Sequence, residues 1–228
     1  MEDDKHREDG NPEAGRAVTR AVRDLYTSPN ALAPHYSRFH VEERLLLTGH
    51  SHQAWPDVGF EGQQHAWRDA AEHVDGKWVH ALERYERVSR GYQALLEDAT
   101  GDVTLASNTH ELVVRFLSAL PWEGRRRIVT TDAEFHSIRR QVDRLAETGR
   151  VEVVKVPGYP AGDVAARLAA KVDDRTECVL VSAVFFERGH VVPGLRGLAD
   201  ACARHGAELL VDAYHALGAM PFRLTDHG

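Results

Sequence analysis

The sequence predicts an α/β protein in three layers, a mainly parallel sheet flanked by helices, with a helical segment ahead of it. Two observations carry that reading. From about residue 100 onward, short β-branched, apolar runs alternate with segments of helical period, the mark of strand–helix–strand units. Upstream, Trp67, Ala71, Val74, Trp78, Leu82, Tyr85, Tyr92 and Leu96 recur at steps of three, four or seven, the stripe of an amphipathic helix. A chain of 228 residues, 43% hydrophobic and 28% charged, has room for one sizeable soluble domain with an appendage.

Taken in order, residues 1–15 are acidic and polar and read as a disordered tail, without the apolar run of a signal peptide. Residues 16–99 read as an N-terminal helical segment. Within it, residues 44–48 (RLLLT) suit a short strand and residues 49–56 a loop, and Gly76 divides the long stripe into two helices. Residues 100–228 read as the α/β part. Its expected strands are 103–107, 127–131, 151–156, 178–185 and 208–211. One helix is expected through Leu112, Arg115, Phe116 and Leu120, another through Ile138, Val142 and Leu145. A further helix spans 195–204 and is stopped by Gly206.

The net charge of −7 is spread along the chain with no clustered basic face, which argues against nucleic acid as a partner. Cys178 and Cys202 lie in apolar segments and read as buried, unpaired thiols in a reducing compartment, with no metal site suggested. No apolar run is long enough to span a bilayer, and a cytoplasmic location is expected. The run Arg125-Arg126-Arg127 reads as a solvated turn, and Trp55, Trp67 and Trp78 as helix-packing or dimer-contact residues.

Open parallel sheets bind ligands beyond the carboxyl ends of their strands, and four such ends carry candidates. At the first, Asn108 and Glu111 have capping-box spacing. The helix start there either caps itself or receives a phosphate on its free N–H groups and dipole. The second, Glu134-Phe135-His136-Ser137, offers an aromatic ring for a planar cofactor, or simply a core residue, and a serine to cap the next helix. At the third, Ser182 in the most apolar run needs a hydrogen-bond partner, usually backbone. The fourth is Asp212, a carboxylate closing a strand expected to be buried. That is costly unless something positive meets it. A protonated pyridine nitrogen is one such partner; a helix cap and Mg²⁺ ligation are the alternatives.

Residues 211–222, VDAYHALGAMPF, resemble the Asp-x-x-His-(Ala/Ser)-x-Gly segment of the class V pyridoxal-phosphate enzymes of fold type I. The other three sites follow in that family's order, and the resemblance covers roughly residue 44 to the end. It implies pyridoxal 5′-phosphate as cofactor, an amino acid as substrate and a homodimer as the working form. Within the group, kynureninase looks nearest, which implies hydrolytic Cβ–Cγ cleavage of a 3-acylalanine. Class V aminotransferases, cysteine desulfurases and lyases are the alternative, and a non-catalytic binding or dimerisation protein of the same fold is another.

By that resemblance Asn108 and Thr109 hold the phosphate. Phe135, in the segment with His136 and Ser137, stacks on the ring. Ser182 lies near the cofactor ahead of a turn at Gly189. Asp212 meets the pyridine nitrogen, with His215 beside it. His50 and His52 fall near the substrate entrance. Ile138 stands where kynureninases carry Asp, and His136 replaces a Pro, departures that bear on the substrate rather than the cofactor. The family's Schiff-base lysine lies beyond the Asp-x-x-His segment. The lysines here are Lys5, Lys77, Lys155 and Lys171, none after Asp212. The resemblance therefore implies a partial large domain in residues 100–228, cut before that lysine and before the small C-terminal domain, and inactive by itself.

Overall fold

The computed structural model describes residues 32–41, 43, 46 and 53–226. The expected tail at 1–15, His50, His52 and most of the expected strand at 44–48 lie outside the described residues. The chain forms two compact units, residues 1–81 and residues 82–228.

In the first unit a 3₁₀ turn, Ala33–Phe39, precedes helix α1, Asp57–His73. Asp57, in the first turn of α1, accepts hydrogen bonds from Ser37 N (3.0 Å), Ser37 Oγ (2.7 Å) and Arg38 N (3.2 Å). The Ser37 hydroxyl holds the Asp57 carboxyl below its ordinary pKa, helped by the two backbone bonds. Helix α2, Lys77–Leu96, begins here and runs on into the second unit. The break expected at Gly76 is a 3₁₀ turn, Val74–Gly76, with the left-handed backbone on Val74 (φ +45°) rather than on the glycine. Trp67 and Trp78 are 79% and 65% exposed, so the expected helix packing is not made within this unit.

The second unit contains α3 (Thr109–Ala119), β1 (Arg127–Thr131), α4 (His136–Glu147), β2 (Glu152–Val156), α5 (Val164–Ala169), β3 (Thr176–Ser182), β4 (Val184–Phe185), β5 (His190–Val191), α6 (Leu195–His205) and β6 (Glu208–Asp212). Four strands form a parallel sheet in the order β2-β1-β3-β6. Every residue of β3 is buried, and its alternate side chains feed two cores. Cys178 and Leu180 pack with Ile128, Val113, Leu117, Ile138 and Val142 on the α3–α4 side. Val179 and Val181 pack with Val129, Val164, Leu168, Leu195 and Leu198 on the α5–α6 side. These are the three layers that the alternating pattern predicts.

Four sequence expectations need correction. Residues 103–107 form no strand, and Ser107 lies in a bend. The Tyr85 hydroxyl of α2 takes their backbone instead, donating to Val103 O (3.1 Å) and accepting from Leu105 N (3.2 Å). The run 178–185 breaks at Ala183, after which β4 leaves the sheet to pair antiparallel with β5; the turn between them uses Gly189 at φ +63°, a left-handed position that suits glycine. Helix α4 starts at His136 with Phe135 at its N-cap and no side-chain cap, so Ser137 sits in the first turn rather than capping. Of the run 125–127 only Arg126 is exposed as expected; Arg125 is half-buried and Arg127 buried. Arg127 is 8% exposed and bridges Asp173 and Glu152, while Arg125 pairs with Glu177 and reaches the carbonyls of His205 and Gly206. The six-residue helix α5 is too short to show a periodic stripe. Among the described residues, no helix is long and apolar enough to cross a membrane.

Candidate functional site

The carboxyl ends of β1, β3 and β6 bring three chain segments together. Ser182 and Asp212 are direct neighbours across β3 and β6, and Ala183 N donates to Asp212 O (2.9 Å). β6 pairs on one side only within this sheet, and Asp212 is half-buried rather than fully buried. Its Oδ1 accepts from Tyr214 N (2.9 Å), a side-chain turn that steers the chain toward His215. Among the described residues no basic side chain pairs with Asp212. His215 is half-buried, its ring 5.2 Å from that of exposed Tyr214.

The partner of Ser182 is a carboxyl group, not backbone. Ser182 Oγ donates to Glu134 Oε2 (2.6 Å), and Thr131 Oγ1 donates to Glu134 Oε1 (2.6 Å). Glu134 is only 2% exposed. Burial pushes its pKa up to about 7 against the lowering effect of those two hydroxyls, and the negative charge of Asp212 pushes the same way. Sequence reasoning quoted Glu134 without giving it a role. Its signal is a carboxylate three residues past the end of the buried strand β1.

Phe135 follows Glu134 and is 36% exposed. Its ring meets Phe186 edge-on at 5.1 Å and His136 at 5.0 Å, so the hairpin turn after β4 contributes an aromatic neighbour that the sequence did not announce. Ser137 is half-buried in the first turn of α4. Phe185 is fully buried and stacks near Tyr159 at 5.6 Å, which makes it core.

Asn108 caps α3 as its spacing predicts, accepting from Glu111 N (2.9 Å). Glu111 reaches back to Ser107 N (3.2 Å) and Oγ (2.8 Å) and is also paired with Arg115 (2.5 Å). The Ser107 hydroxyl chiefly holds the Glu111 carboxyl below its ordinary pKa. Thr109 is half-buried at the first helical position. This turn is linked to the rest of the site through α4, the His110 ring lying 3.5 Å from Gln141, rather than by a hydrogen bond to the Glu134–Asp212 group. The structure thus joins Ser182, Asp212 and the Phe135 segment closely, and sets Asn108 and Thr109 on the α4 side of the sheet.

Solved structures share this fold. A mutant of C-DES with glycine covalently linked to its PLP cofactor superposes with TM-score 0.65 at 21% identity, over 76% of this chain and 48% of the other. The cysteine desulfurase CsdA from Escherichia coli gives 0.62 at 17% identity, over 78% and 46%. Among sequences, 8-amino-7-oxononanoate synthase of Mycolicibacterium gilvum (strain PYR-GCK) is 37% identical over 40% of this chain and 23% of its own length. The uncharacterized aminotransferase YcbU of Bacillus subtilis (strain 168) is 22% identical over 66% and 40%. The chain thus spans less than half the length of the relatives it matches. The aminotransferase class-V family matches residues 97–228, more than half of the sequence. This chain belongs to the class-V aminotransferase family, whose cofactor is pyridoxal phosphate.

Proposed function

We propose that the chain supplies the cofactor-binding face of a pyridoxal-phosphate enzyme that transforms an amino acid, working as a homodimer. Class V aminotransferases, desulfurases and lyases are better models for it than kynureninase. The single observation that carries the reading is Asp212, a half-buried carboxylate at the rim of the sheet with one oxygen held by Tyr214 N and no basic partner among the described residues. A carboxylate in that state fits a cationic ring nitrogen, and Oδ2 would hold the proton there.

When bound, the cofactor draws off the electron pair released on a substrate carbon. The chain's own part is to orient and hold. The first turn of α3, at Asn108 and Thr109, suits a phosphate through its N–H groups and dipole, with Arg115 offsetting the charge of Glu111. Phe135 offers a ring face, and the aromatic surface of Phe135, His136 and Phe186 excludes water from that side. His215 lies next to Asp212 in the same turn. His50 and His52 stay in the proposal as substrate-side residues.

Two observations favour the alternatives to kynureninase. Ile138, at the position where kynureninases carry Asp, is fully buried against α3 and presents nothing polar to a substrate. Similar folds include a cystine C-S lyase and a cysteine desulfurase. A desulfurase version would draw its nucleophile from elsewhere, because burial raises the pKa of both Cys178 and Cys202, the latter to about 11. Lys155 is held by Asp143, and Lys171 lies just after α5, toward the amino end of β3. Neither serves the cofactor.

Calorimetric titration of the full chain with pyridoxal phosphate tests this. Saturable binding is expected, weakened about tenfold or more by Asp212→Asn, equivalent to ~1.4 kcal/mol. Borohydride treatment should leave no phosphopyridoxyl label on Lys155 or Lys171. Equal binding by wild type and Asp212→Asn would sink the reading.

A further inference from the structure

The carboxyl end of the sheet holds two acidic groups where a single pyridine nitrogen asks for one. Asp212 answers to that nitrogen; Glu134 does not. Both Glu134 oxygens are engaged, by Thr131 Oγ1 and by Ser182 Oγ, each at 2.6 Å. Those hydroxyls belong to the last residues of neighbouring strands β1 and β3, so the carboxyl group spans the sheet crosswise at its rim.

Two further contacts lock the same turn. Thr131 Oγ1 also accepts from Ala133 N (3.2 Å). Gly158 N donates to Asp132 Oδ1 (2.8 Å), and a Cβ on Gly158 would stand 2.3 Å from that of Ala133. The chain then passes directly from Glu134 to Phe135, the N-cap residue of α4. Fixing Glu134 therefore fixes where α4 starts and where the Phe135 ring is aimed.

We propose that Glu134 is a positioning residue of the cofactor site, which bridges Thr131 and Ser182 to aim Phe135 and stands as the second acid beside Asp212. The proposal rests on the cofactor reading above. The groups facing Glu134 are Thr131 on β1, Ser182 on β3 and Asp212 on β6, and the one charged group that acts on it is Asp212. Burial and that charge both favour the protonated form. A cationic ring arriving at Asp212 cancels the repulsion, so binding drives Glu134 toward ionisation and expels its proton. By linkage, affinity then gains with rising pH.

The test uses the full chain, pyridoxal phosphate as probe, and calorimetric affinities from pH 5.5 to 8 for wild type, Glu134→Gln and Glu134→Ala. The ligand's own titration cancels in the ratio of wild-type to Glu134→Gln affinity. That ratio is expected to rise roughly threefold or more across the range, and Glu134→Ala to bind about tenfold more weakly than wild type at every pH. A flat ratio, or a Glu134→Ala variant that binds like wild type, overturns the positioning role while leaving the cofactor reading standing. A wild type that does not bind the probe at any pH overturns both, which keeps the two failures distinct.

Discussion

The two ends of one parallel sheet treat charge in opposite ways. At the amino ends, acids and bases neutralise each other: Arg127 joins Glu152 and Asp173, Arg175 joins Asp173, and Arg125 meets Glu177. Asp173 is held below its ordinary pKa, against some burial, by hydrogen bonds and charge from Arg175 and by Arg127. At the carboxyl ends, Glu134 and Asp212 lie near one another with hydroxyls and backbone amides for company, and among the described residues neither has an ion-pair partner. Both ends close the same strands, so backbone geometry does not account for the contrast. One end is finished by the protein itself. The other is left acidic, an arrangement that costs stability and makes sense where a cation is to be received.

Removing the amino-end network should have the largest effect. Arg127→Met removes two charge-assisted hydrogen bonds made by a buried guanidinium, to Asp173 and Glu152, which are half-exposed and keep Arg175, and should cost about 3 kcal/mol in urea unfolding. Titration of the carboxyl end comes next. Glu134 has its pKa raised from 4.5 to about 7, so its stabilising, protonated state is fully present below about pH 4.5 and lost as pH climbs through 7. Wild type should lose up to about 3 kcal/mol over that window, and the loss should vanish in Glu134→Gln. A slope that survives in that variant would place the titrating group elsewhere. Gly158→Ala should cost about 2 kcal/mol by overpacking against Ala133, read as a lowered melting temperature. Asp212→Asn should change stability least, by under about 1 kcal/mol, while moving the Glu134 midpoint downward because a repelling charge is gone.

The core was legible because burial on both faces leaves an unmistakable run. Residues 127–131 were read to the residue, and the outer strands were off by one at an end. Residues 103–107 looked like a strand by composition, yet strand formation depends on a neighbour, and their backbone is taken by a tyrosine hydroxyl. Apolar character also concealed the break at Ala183, where β4 bends out into its own hairpin. The site was legible wherever a residue type is expensive where it stands, as with Asp212, or has a local pattern, as with Asn108 and Glu111. Glu134 stayed silent because its partners, Thr131 and Ser182, are 3 and 48 residues away. Arg127 was misread because its acids lie on β2 and in the turn before β3.

Each core layer contains one free thiol: Cys178 of β3 under α3 and α4, and Cys202 on the buried face of α6. With both sulfurs shielded and held in the protonated form, neither can be alkylated without local or global opening. Labelling rates at the two positions, compared by mass spectrometry in dilute denaturant, would therefore report separately on how often each side of the sheet is uncovered. The molecule contains its own pair of clocks, one per face.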